Sequence, residues 1–493
     1  MEKNEIFRTD QQTRPADALE AGFLQDFFHS FTMELIPPMV EMQLRGIRVD
    51  LDVRARLREW YVAERTLAIE RLEAFSGTKL MAKKTLSNVA VMDLLYNKLK
   101  LPVQRHPKTK QPTADKKALE KLSLKVDDSQ RPVFIDIMTV RDLGVEISTF
   151  LDAKLDRDSR LRWSTNIAGT VSGRISTSGS PFWTGGNVQN WNEEVRNIVL
   201  ADPGYVFVYA DGEQAEARAV AYLAEDPELQ RVFSSDISVH AQMANRIFGI
   251  PLADTFEKLE KLKKREEYKL SKMGVHAANY NMSARTAAVI MRKTEWEASK
   301  ILEGYHNSFP GVRSVFHRRV REQVEKYKIL TTPFWRRRQF FDRMGPELIR
   351  GAISYVPQST IADWLDTGLL RAYYFSQGLF NQHPESIMRG FYSLPEPRFA
   401  NSFDELTFKK GEFYLNINIH DGLLGQVKIE HLRRGINLMK EALTFGIHFQ
   451  NGGELTIPID VKIGGRWGSL ISATEKNIAD IESGSYDLHR IAA

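Results

Sequence analysis

Apolar residues recur at helical spacing through the first third of the chain. From Glu34 to about Leu155 they return every three or four residues, and Arg45-Gly46 marks a turn. The stretch 108–113 is polar, basic and broken by a proline, which is typical of an exposed loop that could touch phosphates. We therefore predict a mainly helical first region that carries one basic loop.

Short apolar runs further along predict strands that end in acidic residues. Residues 205–210 combine β-branched and aromatic side chains, as buried strands do, and Asp211 follows directly. Residues 213–224 are rich in alanine and glutamate and predict a helix. Residues 413–427 hold two more apolar runs around a His-Asp-Gly tripeptide, which has the composition of a tight hairpin. Mainly helical sequence separates these strands, so we expect a helical insertion in a sheet-based core.

The amino-acid composition limits the kinds of metal site and the cellular locations that we expect for this protein. The chain has 493 residues, of which 42% are hydrophobic, and this is enough for about two to four packed subdomains. It has no cysteine, which excludes disulfides and cysteine-based zinc sites and leaves oxygen or imidazole ligands for any metal. No apolar run approaches the roughly eighteen residues of a membrane span, and the N-terminus lacks a signal-peptide core. We expect a cytoplasmic protein without a membrane partner.

The basic residues are clustered, although the net charge is only +5. One cluster lies between Lys258 and Lys272, and the other is the triplet 336–338, which follows aromatic and turn residues. Such combinations occur in sites that track a nucleic-acid backbone. For either cluster alone, a solvated helix face or loop is the simpler interpretation.

Two aspartates, Asp211 and Asp421, each follow an apolar strand. A charge buried there is costly unless a cation or hydrogen bonds compensate it. Brought together, the two carboxylates would suit magnesium, and a pair of metal ions can stabilise the attacking and leaving oxygens of a phosphoryl transfer. Helix caps or turn formers are the simpler interpretation of two aspartates taken by themselves.

One predicted helix, over 265–283, presents cations first and aromatics later. Its members at steps of three and four residues, which share one face, are Lys269, Lys272, His276, Tyr280 and Ser283. Lysines can hold a triphosphate, and a flat ring can stack on a base. The alternative is an exposed basic end that runs into a packed aromatic end.

Taken in order, three segments resemble the motifs of the family A DNA polymerases, the family of bacterial DNA polymerase I. Residues 208–218 are similar to the Asp-Tyr-Ser-Gln-Ile-Glu-Leu-Arg motif, 272–280 to the Lys-aromatic-Tyr helix, and 420–422 to the His-Asp-Glu motif. The resemblance runs from about Leu35 to Gly468. It implies a template-directed DNA polymerase that adds dNTPs to a primer 3′ end in DNA replication.

The resemblance also implies roles for single residues. Asp211 and Asp421 would bind two magnesium ions, for which manganese could substitute, with help from the Gly212 carbonyl. Lys272 would grip the incoming triphosphate and donate a proton to pyrophosphate, and Glu216 would close the space of a ribose 2′-hydroxyl. The remaining residues implied for the dNTP site are Gln214, His240, Lys269, His276 and Tyr280.

Shorter matches imply a primer-template site. Residues 172–176 resemble the family's Thr-Gly-Arg-Leu-Ser segment, and 187–190 resemble Asn-Leu-Gln-Asn. The DNA contacts implied by the resemblance come from Arg174, Asn187, Gln189, Arg350, Gln358 and His420. Primer-template DNA and dNTPs are thus the implied partners, and separate processivity or exonuclease proteins are left open.

The implied fold is α+β, a right-hand polymerase with an antiparallel-sheet palm, helical fingers and a helical thumb. The regions expected along the chain are an N-terminal extension 1–33, thumb and thumb-palm connection 34–165, first palm part 166–235, fingers 236–338, second palm part 339–470 and C-terminal tail 471–493. Because thumb-like sequence starts by residue 35, we expect no exonuclease domain and no intrinsic 3′–5′ proofreading.

Four positions depart from the family pattern. Tyr268 stands where the family has an arginine, so we expect Lys269 or Arg265 to supply the missing charge. Gly422 replaces an auxiliary carboxylate, which leaves the full negative charge of the metal site open. Gly212 replaces a tyrosine, and His276 stands where the family has the phenylalanine or tyrosine that sets tolerance of dideoxy sugars, which leaves sugar discrimination open.

Two rival classes are compatible with part of this pattern. A single-subunit RNA polymerase shares the Asp211-Gly212 pair but lacks a bulky acid at the position of Glu216. A catalytically impaired DNA-binding relic is suggested only by Gly422, and retention of both aspartates and of the helix lysine argues against it. The compact form, His276 and the run 355–360 favour a phage or plasmid replicase over a bacterial repair enzyme.

Overall fold

The computed structural model describes residues 25, 27–106, 109–181, 184–235, 237–253, 255–379, 403–419 and 421–491. Helices surround an antiparallel sheet, which confirms the expected α+β class and the helical insertions in a sheet-based core. Within those ranges no helix has both the length and the apolar character that a membrane crossing needs.

Helices dominate the first region, as the apolar spacing predicts. Its elements in chain order are α1 (Ile36–Arg45), β1 (Ile47–Val49), α2 (Leu51–Ser76), β2 (Met81–Ala82), β3 (Thr85–Leu86), α3 (Asn88–Met92), α4 (Lys116–Ser123) and α5 (Arg131–Glu146). Helix α2 begins where the Asp50 carboxylate accepts from two backbone N–H groups, and it ends at Gly77 in the left-handed conformation. Helices α2 and α5 pack on each other around a separate apolar core.

The next region leads into the main sheet. Its elements are β4 (Arg160–Leu161), β5 (Trp163–Asn166), β6 (Ser176–Gly179), α6 (Glu193–Arg196), β7 (Val199–Leu200), β8 (Tyr205–Gly212), α7 (Ala215–Leu223) and α8 (Pro227–Phe233). Strand β8 matches the predicted strand and extends it through Asp211. Helix α8 begins at Asp226-Pro227, where the Asp226 side chain accepts from the Leu229 N–H.

A helical region follows, as the long helical pattern predicts. Its elements are α9 (Val239–Phe248), α10 (Phe256–Lys263), α11 (Glu266–Asn279), α12 (Ala284–Met291), α13 (Glu295–Ser308), α14 (Arg318–Tyr327), β9 (Ile329–Thr331) and β10 (Arg337–Gln339). The prediction of one helix over 265–283 was wrong at its C-terminal end. Helix α11 ends at Asn279, and Ser283 instead caps α12 by accepting from the Thr286 N–H.

The last region returns to the sheet. Its elements are α15 (Pro346–Ser376), α16 (Phe403–Leu406), β11 (Phe413–Ile419), β12 (Gly422–Lys428), α17 (Leu432–Leu443), β13 (Gly446–His448), β14 (Glu454–Thr456), β15 (Ile459–Gly464), β16 (Ile471–Ser472) and α18 (Glu475–Glu482). The long helix α15 joins two cores. Its first half packs among the helices that follow β8, whereas its second half, from Ile361 onward, packs beneath the sheet.

The main sheet has five strands in the order β11-β12-β8-β15-β16, and every neighbouring pair is antiparallel. The predicted hairpin of β11 and β12 is therefore confirmed, and β8 lies at the centre. Strand alternation sends Val206, Val208 and Ala210 into the core with α15 and α17. Phe207 faces the opposite side, where it packs with the region around Trp191. Asp211, the residue before the last of β8, lies on this opposite face.

Candidate active site

The two predicted carboxylate residues meet at one end of the sheet. Asp211 pairs in register with Gly422 of β12, and the Gly212 N–H donates a hydrogen bond to the Asp421 carbonyl at 3.0 Å. Asp421 precedes β12 directly, so the hairpin turn carries it to the end of β8. Residues far apart in sequence thus become neighbours because an antiparallel ladder fixes their register.

Negative charge is concentrated at this point. Burial, together with the nearby Glu216 and Asp211 carboxylates, raises the pKa of Asp421 to about 7, while Arg174 opposes the rise. The Arg174 guanidinium lies 3.9 Å from Asp421 Oδ1. In the absence of a further cation, a large fraction of Asp421 is protonated at neutral pH.

These residues suit a divalent cation. Asp421 Oδ1 is buried and makes no hydrogen bond within the described part of the chain. Among the described residues there is no cluster of three or more His, Cys, Asp or Glu side chains that could hold a metal. Magnesium commonly takes only one or two carboxylates and completes its shell with water and phosphate oxygens. A pair of carboxylates with an unsatisfied oxygen therefore fits magnesium better than an all-protein metal cage.

Glu216 is held by two neighbours. Arg174 and the Tyr280 hydroxyl donate hydrogen bonds to its two carboxylate oxygens. Glu216 lies in the first turn of α7, which starts after Gln214 turns the chain in the left-handed conformation (φ 52°). The Gln214 Oε1 atom is buried without a hydrogen-bond partner in the described structure. The contact between Glu216 and Tyr280 connects the sheet end to α11.

Helix α11 presents the predicted basic and aromatic stripe. Lys269, Lys272 and His276 are exposed on it. The His276 ring meets Tyr280 edge to face, with ring centroids 4.7 Å apart. Lys272 makes no ion pair within the described ranges, whereas Arg265 is already paired with Glu267 at 2.9 Å. Free ammonium groups next to an aromatic pair suit a nucleoside triphosphate.

His240 on α9 borders this stripe. Burial and the neighbouring Lys272 lower the pKa of His240 to about 4, so the ring is neutral at pH 7. Its Nδ1 atom is buried and has no hydrogen-bond partner in the described structure. Tyr268 packs edge to face on the His240 ring at 5.9 Å, and its hydroxyl lies 3.4 Å from Ser238 Oγ. At position 268 an aromatic contact thus replaces the charge that the family pattern has.

Two of the residues implied for DNA contacts make internal hydrogen bonds. The Asn187 side chain accepts from Thr177 Oγ1 at 2.9 Å and from the Gln189 N–H at 3.0 Å. Gln189 Nε2 donates to the Ile175 carbonyl at 2.9 Å, which ties it to the segment that carries Arg174. These bonds hold Asn187 and Gln189 against residues 175–177, which directly follow Arg174.

The other residues implied for DNA contacts lie elsewhere or outside the described residues. Arg350 and Gln358 are both partly exposed on α15, about two helical turns apart. His420 lies outside the described residues. The structure therefore brings Arg174 into the carboxylate cluster and leaves Arg350 and Gln358 on a neighbouring helix.

The arginine triplet 336–338 is not the exposed basic cluster that the sequence suggested. The Arg336 guanidinium is mostly buried and pairs with the fully buried Asp363 at 2.7 Å. The Arg338 guanidinium lies over the Phe340 ring, 4.4 Å from its centroid. Arg336 stabilises the packing against α15 because the buried Asp363 carboxylate needs a cation as partner, and Arg338 adds a contact with the Tyr355 ring of the same helix.

Two side chains that pack against the site, Trp364 and Tyr209, were not predicted from the sequence. Trp364 of α15 fills the space beside Gly212, where an added Cβ would lie 2.7 Å from the ring. The Tyr209 hydroxyl donates to Asp211 Oδ1 at 2.9 Å, and burial with the Asp211 carboxylate raises the pKa of Tyr209 well above its usual range. Only the two-residue spacing of Tyr209 and Asp211 on a strand could have indicated the second contact.

Comparison with known proteins gives a consistent result. The model of the DNA polymerase family A matches residues 63–469. The chain is 27% identical over 387 residues to DNA polymerase I of Chloroflexus aurantiacus, covering 74% of this chain and 38% of that protein. It is 27% identical over 451 residues to the thermostable DNA polymerase I of Thermus filiformis, covering 86% of this chain and 46% of the relative. The chain thus spans less than half the length of these relatives.

A solved structure has the same fold. It is described as the POL domain of Pol1 from M. smegmatis in complex with DNA primer-template and dNTP. It matches this chain with a TM-score of 0.70 at 21% sequence identity, covering 92% of this chain and 73% of that one. The match supports the right-hand arrangement of sheet and helices.

Proposed function

Since this chain belongs to DNA polymerase family A, we propose that it extends the 3′ end of a primer with dNTPs under the direction of a DNA template. The observation that carries the proposal is the meeting of Asp211 and Asp421 beside α11, the helix with the free Lys272 ammonium. Glu216 and Tyr280 join the two parts through a hydrogen bond. Carboxylates and a phosphate-binding helix are thereby held in one site.

The two aspartates are the residues that would hold magnesium, with the Gly212 carbonyl nearby. Two bound magnesium ions would supply neutralisation of the charge that develops on the reacting phosphate and would lower the pKa of the primer hydroxyl. Arg174 limits the repulsion between Asp421 and Glu216 when these carboxylates are ionised. Family A polymerases generally depend on divalent metals, and the use of two magnesium ions belongs to this proposal.

The nucleotide would be gripped by α11. Lys272 and Lys269 present ammonium groups on one exposed face, and the edge-to-face pair of His276 and Tyr280 continues that face towards the carboxylates. Because Arg265 already pairs with Glu267, Lys269 is the better candidate for the charge that Tyr268 does not carry. His240 is neutral in the free protein and gains charge most readily beside a phosphate anion.

Sugar selection and DNA contacts follow from the same arrangement. Glu216 is fixed by Arg174 and Tyr280, so it forms a rigid wall where a ribose 2′-hydroxyl would lie. Arg174, supported by Gln189, would contact the primer-template, and Arg350 and Gln358 of α15 would add contacts along the duplex. The proposed contact from His420 concerns a residue outside the described ranges.

The test is primer extension on a primed DNA template by Asp211→Asn and Asp421→Asn proteins. Each should lose at least about a hundredfold in turnover, since a charge-stabilising group of the transition state is removed. Asp460→Asn is the matched control, because Asp460 lies opposite Asp211 on β15 but pairs with Lys462. Near-normal extension by either active-site variant would refute the proposal.

The same assay separates the rival classes. A DNA polymerase prefers dNTPs, whereas a single-subunit RNA polymerase would use rNTPs, and a DNA-binding relic would extend no primer. The lack of intrinsic proofreading also stays a prediction. It would be contradicted by degradation of a mismatched primer end by pure protein that carries Asp211→Asn. A cytoplasmic location and a phage-type origin likewise stay predictions.

A further inference from the structure

The Tyr209 side chain contacts Asp211 directly. Both residues belong to β8, and their two-residue spacing places them on the same face of the sheet. The Tyr209 hydroxyl donates to Asp211 Oδ1 at 2.9 Å, while the ring packs against the apolar cluster that contains Phe207 and Leu424. Because packing limits the movement of the ring, its hydroxyl donates the hydrogen bond from a nearly fixed position.

The hydroxyl occupies space that a side chain at residue 422 would need. Gly422 is the register partner of Asp211 on β12. An added Cβ would lie 2.6 Å from the Tyr209 hydroxyl oxygen, and 2.8 Å from both the Ala210 carbonyl oxygen and Asp211 Oδ1. All three distances are well inside the van der Waals optimum between heavy atoms. The tyrosine hydroxyl and a side chain at 422 therefore exclude each other in this arrangement.

The neighbouring strand β15 carries an aspartate that has a cation partner of its own. Asp460 of β15 also lies opposite Asp211 in register. Its carboxylate is 3.7 Å from the Lys462 ammonium and is partly exposed, so it is directed to a cation of its own strand. The Tyr209 hydroxyl, in contrast, donates directly to the Asp211 carboxylate.

We propose that Tyr209 is a positioning residue for Asp211: its hydroxyl holds the carboxylate in one orientation for a divalent cation, in the space that Gly422 leaves free. Carboxylates that bind metals are usually hydrogen-bonded in turn, and loss of such a partner typically weakens metal binding or activity by about 10 to 100-fold. The metal role of Asp211 rests on the proposed function. The hydrogen bond and the exclusion at residue 422 are independent of it.

The test removes one oxygen atom and measures cation binding directly. Mn²⁺ is titrated into the metal-free protein, and free Mn²⁺ is followed by electron paramagnetic resonance. Tyr209→Phe should bind Mn²⁺ about tenfold more weakly than wild type. Tyr205→Phe is the matched control, because Tyr205 lies on the same strand and face but donates to the Gly411 carbonyl. Asp211→Asn gives the Mn²⁺ affinity expected when the carboxylate ligand itself is lost.

Primer extension gives a second readout. In this proposal Tyr209 acts on Asp211 and not on the nucleotide-binding helix α11, so Tyr209→Phe should lower kcat about tenfold and leave KM for the dNTP unchanged. A general loss of packing would instead lower the thermal midpoint and affect both Tyr→Phe variants alike. Equal thermal midpoints for the two variants, with a selective loss of Mn²⁺ affinity in Tyr209→Phe, support the proposal.

The outcomes separate this inference from the proposed function. Mn²⁺ affinity of Tyr209→Phe within twofold of wild type, equal losses in both Tyr→Phe variants, or wild-type binding no stronger than that of Asp211→Asn each overturn the positioning role. If the wild type extends no primer but Tyr209→Phe loses Mn²⁺ affinity selectively, the positioning role stands and the polymerase proposal fails. If the wild type extends primers and Tyr209→Phe matches it in both assays, the polymerase proposal stands and the positioning role fails.

Discussion

The Tyr280 hydroxyl, at the end of α11, donates a hydrogen bond to Glu216 in the first turn of α7. The contact joins the helix with the free ammonium groups to the end of the sheet with the two aspartates. Arg174 approaches the same glutamate from the other side. Glu216 therefore has a fixed position between α11 and the carboxylate cluster.

Removal of the Glu216 carboxylate should relax sugar selection. We expect Glu216→Ala to reduce the preference for dNTPs over rNTPs by about tenfold or more, because a fixed steric and electrostatic wall is lost beside the sugar. The measurement is kcat/KM for one base in both sugar forms. Glu213→Ala, which removes an exposed carboxylate just before the same helix, is the control and should leave the ratio unchanged. An unaltered ratio in Glu216→Ala would contradict the assignment.

Lys269 should contribute to nucleotide binding. We expect Lys269→Ala to raise KM for dNTPs about three- to tenfold, as loss of one phosphate-directed cation does, with a smaller change in kcat. Arg265→Ala is the comparison, because Arg265 is paired with Glu267 in the free protein and should have less effect. Steady-state extension at varied dNTP concentration distinguishes the two. A larger effect from Arg265→Ala would transfer the role to that residue.

The ionised Asp421 carboxylate should lower the thermal stability of the metal-free protein above neutral pH. Its folded-state pKa is raised to about 7, so its favourable contribution holds at low pH and is lost as pH rises through about 7. We expect Asp421→Asn to raise the thermal midpoint by about 1 to 3 °C at pH 8 and by less at pH 5, which lies nearer the ordinary pKa of an aspartate. Melting curves in chelator at both pH values test this. Asp460→Asn should give no such pH-dependent gain.

Two buried histidines should make the helical insertion sensitive to acid. Burial lowers the pKa of His306 to about 3 and that of His317 to about 4, with Arg313 adding to both shifts. Because the unfolded chain binds protons that the folded chain excludes, stability is lost as pH falls from about 6.5 towards 4. His317 Nε2 also hydrogen-bonds the Asn279 carbonyl at the end of α11, at 2.9 Å.

The measurement is the difference in thermal midpoint between pH 7 and pH 5. His306→Leu should reduce that difference by roughly half, since one of the two groups no longer titrates. His489→Leu removes an exposed histidine and should leave the difference as in wild type. A wild-type protein equally stable at both pH values would contradict the prediction.

The sequence by itself determined the elements that carry the site. The apolar run 205–210 predicted β8, the runs around residue 421 predicted the hairpin, and three- and four-residue spacing predicted the stripe on α11. These predictions hold because backbone periodicity and burial act over a few neighbouring residues. The ordered motifs added the family, and through it the pairing of Asp211 with Asp421. The region boundaries inferred from the motifs stay predictions.

Only the tertiary structure decided which side chains face one another. Arg336 was expected in an exposed basic cluster, but its guanidinium is mostly buried and pairs with Asp363 of a later helix. Tyr209 had no recognisable role until the register of β8 and β12 placed Gly422 beside its hydroxyl. Such contacts join residues from distant segments, and their geometry depends on strand register and helix packing. Local patterns carry no information on either, because the same periodicity is compatible with many partners.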